Sequence, residues 1–258
     1  MGVIGVAPNA KIIPVRVLAT GGGTESDIVA GLNWAAGIPI SGIPLNPHPA
    51  NVINMSIGGQ GTCNTGSPTQ VALMAIKNKG ITVVTASGND SDYGSLSYPG
   101  NCYPTINVAA TGKTGKPAFY SNFGDAVDIA APGGDYCYQV GLEQADGQIY
   151  STLNSGTTVP GNPIYGYELG TSMASPNVAG VVALMYSALL RKNPTVAKNS
   201  ALVTSMWTAL STTVTPLAAS SPPATPSSGL CVTPSSSAVQ NYGAGIVNAA
   251  GAVAAIIQ

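Results

Sequence analysis

Along the chain, short β-branched apolar runs alternate with stretches of helical periodicity, the pattern of βαβ units on a parallel sheet. "KIIPVRVL" (residues 11–18) reads as a strand, followed by the glycine turn "TGGGT" and a helix, "ESDIVAGLNWAAG". "NVINMSIGG" (51–59) reads as a buried strand. "PTQVALMAIKNKG" (68–80) reads as a helix with Val71, Met74 and Ala75 on one face and a left-handed stop at Gly80. "ITVVTASGN" (81–89), "TINVAA" (105–110) and "AVDIAAPGG" supply further strands. From Thr171, "TSMASPNVAGVVALMYSALLRK" is apolar nearly all round, which predicts a helix in the middle of a domain. "AGIVNAAGAVAAII" closes the chain as a helix, and the Pro/Ser-rich residues 211–237 form an irregular surface excursion. With no internal repeat and no second core, residues 1–258 are expected to form one α/β domain on a mostly parallel sheet.

Composition narrows the partners. Of 258 residues 45% are hydrophobic and only 7% charged, with a formal net charge of −1. Such a chain offers nucleic acid or an anionic membrane no electrostatic footing. The longest apolar run, "VAGVVALMYSALL", stops at Arg191, short of the roughly 18–20 residues of a membrane span. Four dispersed cysteines (Cys63, Cys102, Cys137, Cys231) with one histidine argue against zinc and fit disulfides in an exported protein. No signal peptide is visible in "MGVIGVAPNAKIIPVRVL", so export implies an N-terminus already cut.

Three segments carry candidate chemistry. In "GTSMASPNVAG" (170–180), Ser172 sits where the long helix begins, beside free backbone N–H groups and the positive end of the helix dipole. Thr171 or Ser172 could equally serve only as a cap. "VVTASGND" (83–90) ends a strand at the carboxyl edge of the sheet, where ligands gather; Asn89 could donate to an oxyanion or simply make a turn. "NMSIGG" (54–59) offers bare glycine backbone that could pair with an extended peptide, or an ordinary strand-to-loop passage. "GGGTESD" has the outline of a phosphate loop but neither GxGxxG nor a Gly-Lys-Ser/Thr. A nucleophilic serine needs a general base. The one histidine, His48, lies between Pro47 and Pro49, in an extended loop ill-suited to holding a catalytic imidazole.

Taken in order and spacing, "GVAPNAKIIPVRVL", "NMSIGG", "ASGN", "YSNFGDAVDIAAPGG", "GTSMASPNVAG" and "GAGIVNAAGAV" resemble the subtilisin-like serine proteases. The resemblance implies a doubly wound, mostly parallel central sheet with helices on both faces, incomplete at the N-terminus. It implies an endopeptidase working through an acyl-enzyme on Ser172, with the Asn89 side chain and the Ser172 N–H as oxyanion hole. Ser56, Ile57, Gly58 and Ala86, Ser87, Gly88 would flank the pocket for the substrate residue before the cut, and Gly21–Thr24 would lie along the other side of the peptide. Cys63 would pair with Cys102, as in secreted bacterial members; Cys231 would pair with Cys137 or stay free. Where the family usually has a packing histidine, this chain has Asn177.

The larger departure is that the family's carboxylate and base histidine both precede the segment matching "GVAPNAKI". The expectation is therefore a chain whose base and Asp partner are missing, inactive alone, and poorly stable or re-paired where an interior strand belongs. The alternative is a pseudoprotease that binds peptides without cutting them. A sedolisin-like enzyme is disfavoured by Asn89, where those enzymes place an aspartate. The expected substrate is an extended peptide or protein, the expected state a secreted monomer, with an N-terminal fragment or propeptide as a further partner. The chemistry requires no cofactor and no catalytic metal. Structural calcium is common in the family but has no assignable site here; Asp90, Asp92, Asp135 and Asp146 read as turn or solvent residues.

Overall fold

The structure, a computed structural model, describes residues 3–135, 147–218 and 241–258. A four-stranded parallel sheet forms its centre, in the order β1 (Val52–Met55), β3 (Thr82–Ala86), β5 (Thr105–Thr111), β6 (Ile129–Pro132). Side chains alternate across the sheet. Val84, Ile106, Val108, Ala110, Ile129 and Ala131 point to one face, where they are buried under α3 (Thr171–Lys192), α4 (Ser200–Ser211) and α5 (Ala249–Ile256). Val83, Met55 and the half-buried Ile53 point to the other, under α1 (Glu25–Ala35) and α2 (Pro68–Asn78). Helices thus cover both faces, the doubly wound arrangement expected. α3 lies against all four strands as the central core helix, with Val178, Val182 and Met185 fully buried.

Two small antiparallel pairs decorate this frame. β2 (Gly59–Gln60) pairs with β4 (Ser97–Tyr98), and the Cys63–Cys102 disulfide lies just beyond them. β7 (Ile149–Asn154) and β8 (Pro163–Glu168) form a hairpin leading into Gly170. Glu25 Oε1 ties α1 to this region, accepting bonds from Thr69 N–H, Thr69 Oγ1 and Tyr98 OH.

Three expectations change. "KIIPVRVL" is extended but joins no ladder: Ile12 is 89% exposed, and Ile13, Val15 and Leu18 are exposed too. The reason is geometric. A cavity of about 410 Å³ lies between Lys11, Ile13, Val15, Val17 and the free edge of β1, with Ile28 and Leu32 of α1 as further walls. Among the described residues no strand pairs with that edge of β1. In α2 the buried positions are Thr69, Ala72, Leu73 and Ile76, because this helix packs against Val83 and Ile81, while Val71 and Met74 face outward. Gly80 does adopt the left-handed conformation, with φ +73°. Asp135 is buried, not solvent-facing, and its N–H donates to Gly147 O. α4 and the β7–β8 hairpin were not anticipated. Cys137, Cys231, Asp146 and most of the 211–237 excursion lie outside the described residues.

Candidate active site

The carboxyl ends of β1 and β3 and the first turn of α3 meet at one place. Ser56, just past β1, donates its hydroxyl to Ser172 O at 2.8 Å and shares a second bond with Ser175 Oγ at 3.0 Å. Its own oxygen accepts from Asn54 Nδ2 at 3.0 Å. Ser56 is thereby a clasp between strand and helix. Past β3, Asn89 Oδ1 accepts two bonds from Thr171, one from the backbone N–H and one from Oγ1, each 2.9 Å. Thr171 Oγ1 in turn accepts the N–H of Gly88 at 3.2 Å. Thr171 is fully buried, so both its polar groups are satisfied by the loop it faces.

This clasp orients Asn89. With its oxygen fixed by Thr171, the amide nitrogen must point the other way. A Cβ placed on Gly170 would lie 3.6 Å from Asn89 Nδ2 and 3.6 Å from Ser172 N, so the two donors border the same space. Among the described residues, neither Asn89 Nδ2 nor Ser172 Oγ takes part in a hydrogen bond. The α3 N-cap is Gly170, with no side-chain cap bond, so neither Thr171 nor Ser172 acts as a helix cap. Gly170 is held by its N–H to Gly133 O at 2.9 Å, and Tyr120 OH reaches Gly133 O and Gly134 O beneath it. Burial pushes the Tyr120 hydroxyl pKa up, so it stays protonated.

In front of these groups opens a cleft of about 510 Å³. Ser56, Ile57, Gly58, Ala86, Gly88, Asn89, Thr171 and Ser172 all line it, together with Leu18 and Gln60. Ser87 is the exception among the expected pocket residues. Its side chain is fully buried, and its carbonyl accepts from Asn122 Nδ2. Gly21–Thr24 forms an exposed turn closed by mutual Ala19–Gly22 bonds, and it is Leu18, immediately before that turn, that reaches the cleft. Leu18 and Thr171 are contributions the sequence did not single out. The signal available for Thr171 was only its place beside Ser172.

His48 is elsewhere. Its N–H donates to Asn46 Oδ1, and Asn46 is anchored to Ala35 O at the end of α1. That loop precedes β1, whereas Ser172 meets the residue after β1, so imidazole and hydroxyl lie at opposite ends of the strand. Asn177, in the place of the family's histidine, donates to Pro132 O at 2.9 Å and Met173 O at 3.1 Å, a packing role. No group of three or more His, Cys, Asp or Glu side chains converges among the described residues, and Asp90 and Asp92 are exposed. Those residues do not fit a carboxylate cage for calcium.

Comparison with known proteins shows the family and the fold. The model of the subtilase family matches residues 1–244. An extracellular protease of Xanthomonas campestris pv. campestris is 50% identical over 186 residues, covering 72% of this chain and 30% of that protein. An extracellular basic protease of Dichelobacter nodosus is 43% identical over 188 residues, covering 73% of this chain and 29% of that protein. A solved protease from Pseudoalteromonas arctica superposes with a TM-score of 0.79 at 43% identity, covering 99% of this chain and 66% of the solved one. The chain thus spans about a third of the length of these curated relatives, at 30% and 29%.

Proposed function

This chain belongs to the subtilase family, and from that premise we propose that it carries the nucleophile and oxyanion half of a serine endopeptidase site. The observation that carries the reading is the Thr171 clasp, which fixes Asn89 Oδ1 and leaves its Nδ2 and the Ser172 N–H facing one space. Ser172 Oγ attacks the scissile carbonyl carbon. The carbonyl oxygen, becoming an oxyanion, receives bonds from Asn89 Nδ2 and Ser172 N–H. The hydroxyl proton passes to an imidazole, which returns it to the leaving amine, and water then releases the acyl group by the same relay. No cofactor enters these steps.

The imidazole and its carboxylate come, in this reading, from polypeptide outside these 258 residues. The chain has one histidine, and it stands at the wrong end of β1. The 410 Å³ cavity beside the free edge of β1 supports the same view, since its apolar walls and open backbone edge suit an extended segment. The substrate is an extended peptide lying in the 510 Å³ cleft against Gly58 and Gly59. The extracellular relatives and the Cys63–Cys102 disulfide support action outside the cell.

The test is hydrolysis of an unstructured protein substrate by the chain alone and by the chain refolded with a separate polypeptide supplying imidazole and carboxylate. Turnover only in the second case, abolished by Ser172→Ala, is expected. Saturable peptide binding with no turnover in either case would favour a pseudoprotease instead.

A further inference from the structure

The turn carrying Asn89 has no regular structure of its own, yet it is held from beneath by one side chain. Asn122 is 2% exposed. Its Oδ1 accepts the N–H groups of Asp90 at 2.9 Å and Asp92 at 3.1 Å. Its Nδ2 donates to Ser87 O at 2.9 Å, and its backbone N–H donates to Gly88 O at 3.0 Å. The backbone is thus gripped immediately before and immediately after Asn89. Gly88 completes the fit: it has φ +103°, and a Cβ there would collide with Asn122 Nδ2.

We propose that Asn122, at the buried floor of the cleft, is a positioning residue that sets where Asn89 presents its amide, and so governs oxyanion binding through Asn89. The inference rests on the reading of Asn89 given above and deepens it. A primary amide meets the demands of this spot, because it accepts two N–H bonds at one end while donating at the other. A carboxylate keeps both acceptors but sets its second oxygen against Ser87 O. A hydroxyl is too short to span the three contacts. The leverage is large, since displacing a catalytic group by about 1 Å costs on the order of 100-fold.

The probe is a peptide boronate, compared with the peptide amide of the same sequence, on the chain refolded with the polypeptide that supplies imidazole and carboxylate. Boron accepts a lone pair from Ser172 Oγ, the hydroxyl proton leaves to solvent, and a B–OH oxygen takes the oxyanion position; the amide fills the groove without forming one. Asn122→Ala is expected to weaken boronate binding about 10-fold or more, within the roughly 100- to 1,000-fold that a whole oxyanion donor supplies. Binding of the amide should stay within about twofold on the same grounds. Asn122→Asp should lose boronate affinity relative to the wild-type chain at pH 8 and regain it as the pH falls far enough to protonate that carboxyl, whose pKa burial and the facing Ser87 O raise. Once protonated, its carboxyl accepts and donates as the amide does, so this variant also answers for any failure of Asn122→Ala to fold.

Hydrogen exchange at the Asp90 and Asp92 amides, which needs no ligand, should accelerate in Asn122→Ala and not in Asn89→Ala. The inference is overturned if Asn89→Ala weakens the boronate while both Asn122 variants bind it normally. It is overturned equally if boronate and amide weaken together. If Asn89→Ala leaves boronate binding unchanged, the reading of Asn89 fails and the role proposed for Asn122 falls with it.

Discussion

β5 and the segment 11–18 are both rich in β-branched apolar residues, yet Val108 is fully buried while Ile12 is 89% exposed. β5 has β3 on one side, β6 on the other and α3 across its face. Segment 11–18 has α1 nearby and a 410 Å³ cavity between it and the edge of β1. Hydrophobic patterning records the wish to be buried, whereas burial itself depends on a partner, and only the first can be read from one segment. The difference also divides the candidate site. Ser172 and Asn89, as proposed above, hang from the packed half, whereas His48, the one histidine of the sequence, stands in the loop before β1.

The sharpest way to break the comparison is to truncate one side chain in each region. Ile129→Ala, within the α3-covered core, should destabilise the chain by about 2–5 kcal/mol, the usual cost of emptying a packed site. Ile12→Ala should change stability by less than about 0.5 kcal/mol, as for an exposed position. Paired urea titrations decide it. Similar losses at both sites would mean that segment 11–18 is packed after all.

A titration sharpens the same contrast. Asp128 lies beside β6, and burial pushes its pKa up to about 6, partly offset by the Asn107 N–H it accepts. Its folded-state value stands above the ordinary value near 4, so the folded protein binds the proton more tightly than the unfolded chain. This group's contribution to stability is therefore full below about pH 4 and is lost as pH rises through about 6, amounting to roughly 3 kcal/mol. Urea midpoints at pH 4 and 7 should show that slope in the wild-type chain, and its disappearance in Asp128→Asn. An unchanged slope would place Asp128 in contact with solvent.

A smaller effect tests the packing at Asn177. Asn177→Ala removes the bonds to Pro132 O and Met173 O and should cost about 1 kcal/mol. It should leave peptide binding in the cleft unaltered, as isothermal titration with a substrate-like peptide would report.

Much of the fold was legible because its elements carry local signals. The parallel strands announced themselves as β-branched runs, and α3 as a helix apolar all round. α4 went unread although Asn199 caps it and Leu202, Val203, Met206 and Leu210 repeat at helical spacing. The β7–β8 hairpin was hidden by the glycine, proline and serine that break its alternation. Ser172, Asn89 and the cleft around them were legible through a motif whose residues are close in sequence to their elements. Thr171 and Asn122 were not, since what they do depends on contacts 82 residues away for Thr171 with Asn89, and 32 for Asn122 with Asp90. No local pattern encodes such contacts.

The central claim is that Ser172 sits in a formed oxyanion site without a base. A fluorophosphonate, which labels only an activated serine, tests it most directly on the purified chain, with mass spectrometry locating the adduct. The account predicts no labelling of the chain alone, and labelling at Ser172 once imidazole-bearing polypeptide is supplied. Stoichiometric labelling of Ser172 in the chain alone would contradict it, because a base would then have to exist within these 258 residues.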